Sequence, residues 1–126
     1  MAAVEIISFG YLHGEPPAAH LTVDLRHHFR DPHINPQLRY MTADDQLVRD
    51  AVLATPGISA LIDAVVLGAA AFGAGPTPGP VKVAFGCAGG RHRAATAASE
   101  LAHRLQAAGH DATVMHRDLR KPVINR

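Results

Sequence analysis

A single cysteine, Cys87, is the whole thiol inventory of these 126 residues. That excludes an intramolecular disulfide and a thiolate metal cluster, and it fits a reducing cytosol. Tryptophan is absent, and two tyrosines and four phenylalanines are too few for a platform that stacks single-stranded bases. Charge of one sign is also lacking. Twelve Lys and Arg against eleven Asp and Glu leave a formal net charge of +1, so the chain is not a polycation made to coat nucleic acid. The most apolar run, ISALIDAVVLGAAAFGAG from Ile58, is interrupted by Asp63 and filled with small residues. It falls short of a membrane span and reads as a core helix. The N-terminus, MAAVEIISFG, has no positive region followed by an apolar run, so a cytoplasmic location away from membranes is expected.

What the chain does hold is apolar material for one core, at 48% hydrophobic residues. Val4 to Phe9 reads as a strand ending at Gly10, and YLHGEPPAAH after it is a loop. His20 to Arg26 alternates apolar and polar residues as a second strand does. The polar, His- and Arg-rich segment HHFRDPHINPQLRYMTADD is long for a connector, and long loops in compact domains are often functional. Helices are expected over Asp45 to Ala54 and Ile58 to Phe72, separated by Pro56-Gly57. GAGPTPGP is an exposed linker. A strand at Val81 to Phe85, a helix at His92 to Ala108 and a strand at Ala112 to Met115 complete the chain. The order predicts a single small α/β domain, its sheet largely parallel or mixed and flanked by helices. Ligands in such sheets sit beyond the carboxyl ends of the strands. Residues 1–119 are expected to form the domain and residues 120–126 a basic tail.

The most informative stretch is VKVAFGCAGGRHRAATAASELAHRL, Val81 to Leu105. Cys87 and Arg93 stand at the C-x5-R spacing of phosphate-cradling loops, and the Gly-rich turn between strand and helix aims backbone N–H groups at one point. Gly86, Gly89 and Gly90 let the backbone approach an anion. Arg93, in the first helical turn, is expected to form a bidentate pair with phosphate oxygens, with Arg91 and His92 adding donors. An anion site over Cys87, Ala88, Gly89, Gly90, Arg91, His92 and Arg93 follows. The alternative is a tight turn whose glycines serve packing alone.

Three other chemistries are open to these residues. A helix N-terminus beside two arginines is the setting of a cysteine phosphatase, with Cys87 as nucleophile, Arg93 as phosphoryl ligand and Asp31 or Asp118 as acid. Against it, Ala94 follows Arg93 where a hydroxyl usually helps the thiolate leave, and Cys87 also suits a packed structural position. His27, His28 and His33 lie near Asp24 and Asp31, but no metal-ligand spacing falls on a regular element, so neither metal nor cofactor is expected. Arg117, Arg120, Lys121 and Arg126 make a basic tail that offers contacts to RNA phosphates, although a frayed, solvated terminus is the commoner meaning of such a run.

Five landmarks in order then point to a family. SFGYLHG at Ser8 to Gly14, VDLR at Val23 to Arg26, DPHINPQLRYMT at Asp31 to Thr42, VAFGCAGGRHRA at Val83 to Ala94 and HRDL at His116 to Leu119 resemble the C-terminal domain of the RNase adapter protein RapZ. The resemblance implies sensing of glucosamine-6-phosphate, binding of small regulatory RNA and assembly into oligomers. It implies a phosphosugar pocket drawing on His13, His33, Arg39, Gly89, Gly90, His92 and Arg93. Leu12 stands where the family usually carries Lys, Ala88 where it carries Thr, Ala94 where it carries Ser and Ala43 where it carries Gly. These changes remove a cation and two hydroxyls near the pocket and widen the expected ligand to a phosphorylated small molecule in general. No G-x-x-x-x-G-K-[ST] loop occurs in the sequence, so the family's nucleotide-binding domain is not expected here, and a free-standing module or a fragment is.

Overall fold

A computed structural model describes residues 3–126. Four strands form one sheet: β1 (Val4–Gly10), β2 (Leu21–Asp24), β3 (Val81–Cys87) and β4 (Ala112–His116). Every pairing is parallel and the spatial order is β2-β3-β1-β4. Three helices complete it: α1 (Gln46–Leu53), α2 (Ile58–Gly73) and α3 (Arg93–Ala107). The expected α/β class holds, and the sheet is parallel throughout.

Alternation along the strands explains the layering. Val4 and Ile6 of β1 and Val81, Val83 and Phe85 of β3 are buried toward the helices, while Glu5 and Lys82 between them are exposed. The core is closed by Val48 and Val52 of α1, by Ile58, Ile62 and Val65 of α2, and by Leu101 and Leu105 of α3. Each such side chain contributes roughly 1.5–3 kcal/mol when fully buried. α3 presents Ala94, Ala95, Ala97 and Ala98 to the interior, all fully buried. These small residues let its first two turns lie close on β1 and β3. Gly57, at φ +93, separates α1 from α2, whose axes differ by 84°.

Two boundaries differ from the expectation, for physical reasons. β3 runs on through Gly86 to Cys87, because the ladder pairs Phe9 with Gly86 and Gly10 with Cys87. β2 is shorter than His20 to Arg26. It is an edge strand paired only with β3, and the Asp24 carboxylate accepts the Arg26 amide (2.9 Å) and guanidinium, turning the chain away.

A parallel sheet gathers the carboxyl ends of all its strands at one edge. Gly10, Asp24, Cys87 and His116 therefore lie on a common rim although they are far apart in sequence. The chain leaves β1 toward β2 on one side of the sheet and leaves β3 toward β4 in the opposite direction. The β3–β1 boundary is thus a topological switch point, where α/β sheets open a crevice. Among the described residues, no single helix is long and apolar enough to cross a membrane.

Candidate functional site

The turn from Ala88 to His92 sits at that switch point and is pressed against the end of β1. A Cβ placed on Gly10 would meet the Gly89 carbonyl carbon at 2.4 Å, which only a glycine avoids. Gly90 adopts φ +78, and a Cβ there would come within 2.8 Å of the Gly10 nitrogen. The turn is pinned on both flanks. The Leu12 amide donates to the Ala88 carbonyl (3.0 Å), and the Ala43 amide donates to the Arg91 carbonyl (2.9 Å). Gly10→Ala is therefore expected to cost about 2–3 kcal/mol through overpacking of backbone on backbone, read as a lower urea midpoint at unchanged slope. A loss under 0.5 kcal/mol would show that the turn is free to move away.

The amides of the turn divide into two groups. Those of Gly90 and Ala94 donate to the Cys87 sulfur at 3.3 and 3.4 Å. Those of Gly89, Arg91, His92 and Arg93 donate to no described residue. They stand at the start of a 15-residue helix, whose dipole favours negative charge there.

Arg93 is 2% exposed and anchored by one edge of its guanidinium. Its Nη1 donates to the carbonyls of Leu25 (2.8 Å) and Arg26 (3.1 Å), and its Nη2 stands 3.3 Å from Asp31 Oδ2. Its Nε is buried with no partner among the described residues. Arg93 is thus a buried tie between α3 and the segment after β2, with one donor still unused. Arg91 is also partly committed, donating to the carbonyls of Lys121 (2.9 Å) and Tyr40 (2.6 Å).

The neighbouring histidines are held neutral. Burial pushes His92 below its ordinary 6.5, against the raising effect of its Nε2 hydrogen bond to the Met41 carbonyl (2.8 Å). His33 is likewise lowered, first by burial and then by the positive charge of Arg126. Arg126 Nη1 lies 3.2 Å from His33 Nδ1, which must accept, so the proton of the neutral ring resides on Nε2. Arg39 Nε donates to the His33 carbonyl (2.9 Å) and fixes that turn. Asp31 is pushed up by burial, but its hydrogen bond from Arg126 and the charge of Arg93 prevail and lower it.

One recess brings together His33, Arg39, Cys87, Gly89, Arg91, His92 and Arg93. Ala88 and Gly90 shape the turn without lining it. His13 follows β1 in a short 3-10 turn, its Nε2 buried and without a partner among the described residues, and it does not line the recess. Asp31, Val123, Ile124 and Arg126 complete the wall. The role of Arg126 escaped sequence reasoning, since nothing local marks a C-terminal arginine as the partner of Asp31. The basic run is not a frayed, solvated end. Arg126 Nη2 pairs with Asp31 (2.8 Å), Arg117 and Lys121 both pair with the buried Asp118, and Arg120 pairs with Asp44 in the open.

Asp118 is fully buried. Burial raises its pKa, but the Arg117 guanidinium, the Gly10 amide (2.7 Å) and Lys121 outweigh that and hold it at about 2. Both acids considered for a hydrolase, Asp31 and Asp118, are therefore carboxylates locked to cations at neutral pH. Neither carries a proton to give a leaving group. Cys87, 2% exposed, lies at the base of the recess. Among the described residues, no three of His, Cys, Asp and Glu converge as metal ligands.

Comparison with known proteins agrees with this arrangement of motifs. The family model described as the RapZ C-terminal domain matches residues 2–120. A "Nucleotide-binding protein" of Thermobifida fusca is 38% identical over 117 residues, covering 90% of this chain and 40% of the relative. A relative from Cutibacterium acnes is 39% identical over 128 residues (94% and 42%), and one from Desulforudis audaxviator is 35% identical over 126 (96% and 42%). The chain spans about two-fifths of the length of these curated relatives.

Proposed function

Because the chain belongs to the RapZ C-terminal domain family, we propose that the turn after β3 is a phosphate cradle in a domain that senses a phosphorylated metabolite without transforming it. The ligand class is an amino-sugar phosphate of the glucosamine-6-phosphate kind. One observation carries the reading. Arg93 is buried and clamped through Nη1 and Nη2, with its Nε, like the four backbone amides of the turn, lacking an acceptor among the described residues. Preorganised donors of this kind cost an arriving phosphate little reorganisation. Asp31, His33 and Arg39, which also line the recess, supply an acceptor for an amine and donors for hydroxyls.

The relatives are called nucleotide-binding proteins, but this chain spans two-fifths of them and has no G-x-x-x-x-G-K-[ST] loop. A phosphosugar is therefore the ligand proposed here. An RNA or protein output, and assembly into oligomers, belong to the same proposal. The RNA contact is the weaker part, because Arg117 and Lys121 are both paired with the buried Asp118, and Arg120 is the most exposed cation of the three.

Thermal unfolding at constant ionic strength tests the cradle, with inorganic phosphate, glucosamine-6-phosphate, glucose-6-phosphate, glucosamine and ADP compared. At a hundredfold excess over Kd a ligand stabilises by about 2.7 kcal/mol, a rise in Tm of roughly 10 °C for a domain of this size. Glucosamine-6-phosphate is expected to give the largest rise and glucosamine none. No response to any phosphorylated compound would end the proposal.

A further inference from the structure

The recess has room for about one water molecule, some 10 Å³. A phosphate, let alone a phosphosugar, does not enter that space while the residues around it stay where they are. Most of the wall is rigid: β3, the pinned turn, and α3 with its buried arginine. The segment after β2 adds Asp31, His33 and Arg39, and the rest of the wall is the C-terminal segment, which is held quite differently. Arg91 ties its near end through the Lys121 carbonyl, and Asp31 with His33 ties its far end through Arg126. Val123 and Ile124, half-buried, lie between these ties against the recess.

We propose that residues 121–126 form a strap that occupies the cradle in competition with an anionic ligand, so that binding and strap release are one equilibrium. The inference rests on the phosphate-cradle reading above. Its physical basis is mutual exclusion. The guanidinium of Arg126 lies at the Asp31 and His33 side of the recess, near Gly89. Ligand and strap require the same volume. The Arg126 and Asp31 side chains keep some contact with solvent, at 25% and 20% exposed, so the tie is partly screened and reversible, worth roughly a two- to fivefold shift in the open-to-closed ratio. The hydrophobic contact of Ile124 adds to it. Displacement also frees the Arg126 guanidinium on a tail whose Arg120 is already exposed, turning an occupied pocket into a more cationic surface.

Population shift makes the test quantitative. If only the open form binds, the apparent Kd equals the intrinsic Kd divided by the open fraction. Alkylation of Cys87, the single thiol and one of the residues lining the recess, measures the same open fraction without any ligand. The 126-residue wild type, Arg126→Ala and Arg126→Ala/Ile124→Ser are titrated with inorganic phosphate by calorimetry. In parallel, their ligand-free reaction with uncharged iodoacetamide is followed by mass spectrometry. Arg126→Ala is expected to tighten phosphate binding about two- to fivefold and the double variant about tenfold, with alkylation accelerated by matching factors. Weaker binding in Arg126→Ala would make Arg126 a ligand to the anion and overturn the strap. Binding or alkylation unchanged by either variant overturns it equally. Absence of phosphate binding from all three proteins would remove the cradle itself, and the strap with it.

Discussion

Arg93→Ala is expected to lose about 3 kcal/mol of stability and all measurable phosphate binding. The two losses have different origins. Stability falls because the carbonyls of Leu25 and Arg26 lose the buried donor that ties β2's exit to α3, and Asp31 loses one of its two guanidinium partners. Removing one member of a buried ionic network costs about 3–5 kcal/mol, and the low end applies here because Arg126 still pairs with Asp31. Binding falls because the cradle loses the unpartnered Nε of the same guanidinium, whose residue begins the helix beside the open amides. Arg93→Lys separates these effects. A lysine keeps the charge but has no planar fork, so it cannot satisfy two carbonyls and a ligand together. It is expected to recover less than half of the stability and little of the binding. Urea unfolding gives the first quantity and phosphate titration the second. A loss below 1 kcal/mol with phosphate affinity intact would show that Arg93 is neither tie nor ligand.

Asp118→Ala is expected to cost about 3 kcal/mol at neutral pH, without direct contact to the recess. The carboxylate accepts the Gly10 amide and balances both Arg117 and Lys121, and its loss strands a buried donor beneath the turn. The pH dependence gives a second signature. Its folded pKa of about 2 lies below the ordinary 3.8, so the protonated form is disfavoured by folding. The stability it contributes is complete above about pH 4 and disappears as the pH falls through 2. Each pKa unit is worth about 1.4 kcal/mol, so the wild type should lose about 2 kcal/mol to this group alone across that window. Asp118→Asn, which keeps the shape and an acceptor for Gly10, should begin less stable and show a correspondingly shallower acid limb. Denaturation midpoints at pH 7, 4 and 2 provide the comparison. Parallel acid limbs in wild type and Asp118→Asn would mean that the ion cluster contributes nothing.

These two residues mark how far linear sequence reaches. The strand, glycine turn and helix around Cys87 were legible because their determinants are local: apolar alternation, glycines at the turn and alanines at helical spacing. The parallel sheet was legible too, since β–α–β connections leave little topological choice. The same reasoning put four polar clusters on one rim, and the ladders from Gly10 to Cys87 and from Ser8 to His116 join three of the strand ends that carry them. What failed was the direction of individual side chains. Arg93 reads in sequence as a free phosphate ligand, yet its Nη1 goes to carbonyls 67 and 68 positions away and its Nη2 faces Asp31. His13 belongs to a family motif but does not line the recess.

The tail makes the same distinction most sharply. By itself, the sequence determined the fold class, the position of the glycine-rich turn and the rim on which it lies. All of these depend on periodicity and on residues within a few positions of one another. Whether the turn is open, which arginine edge is free and what Arg126 does were settled only by packing. Arg126 meets Asp31 across 95 positions, through a contact that exists only once β1, β3 and β4 are in register and the chain has returned to the rim. A run of arginines carries its charge in the sequence, but its partners are assigned by where the fold brings the carboxylates.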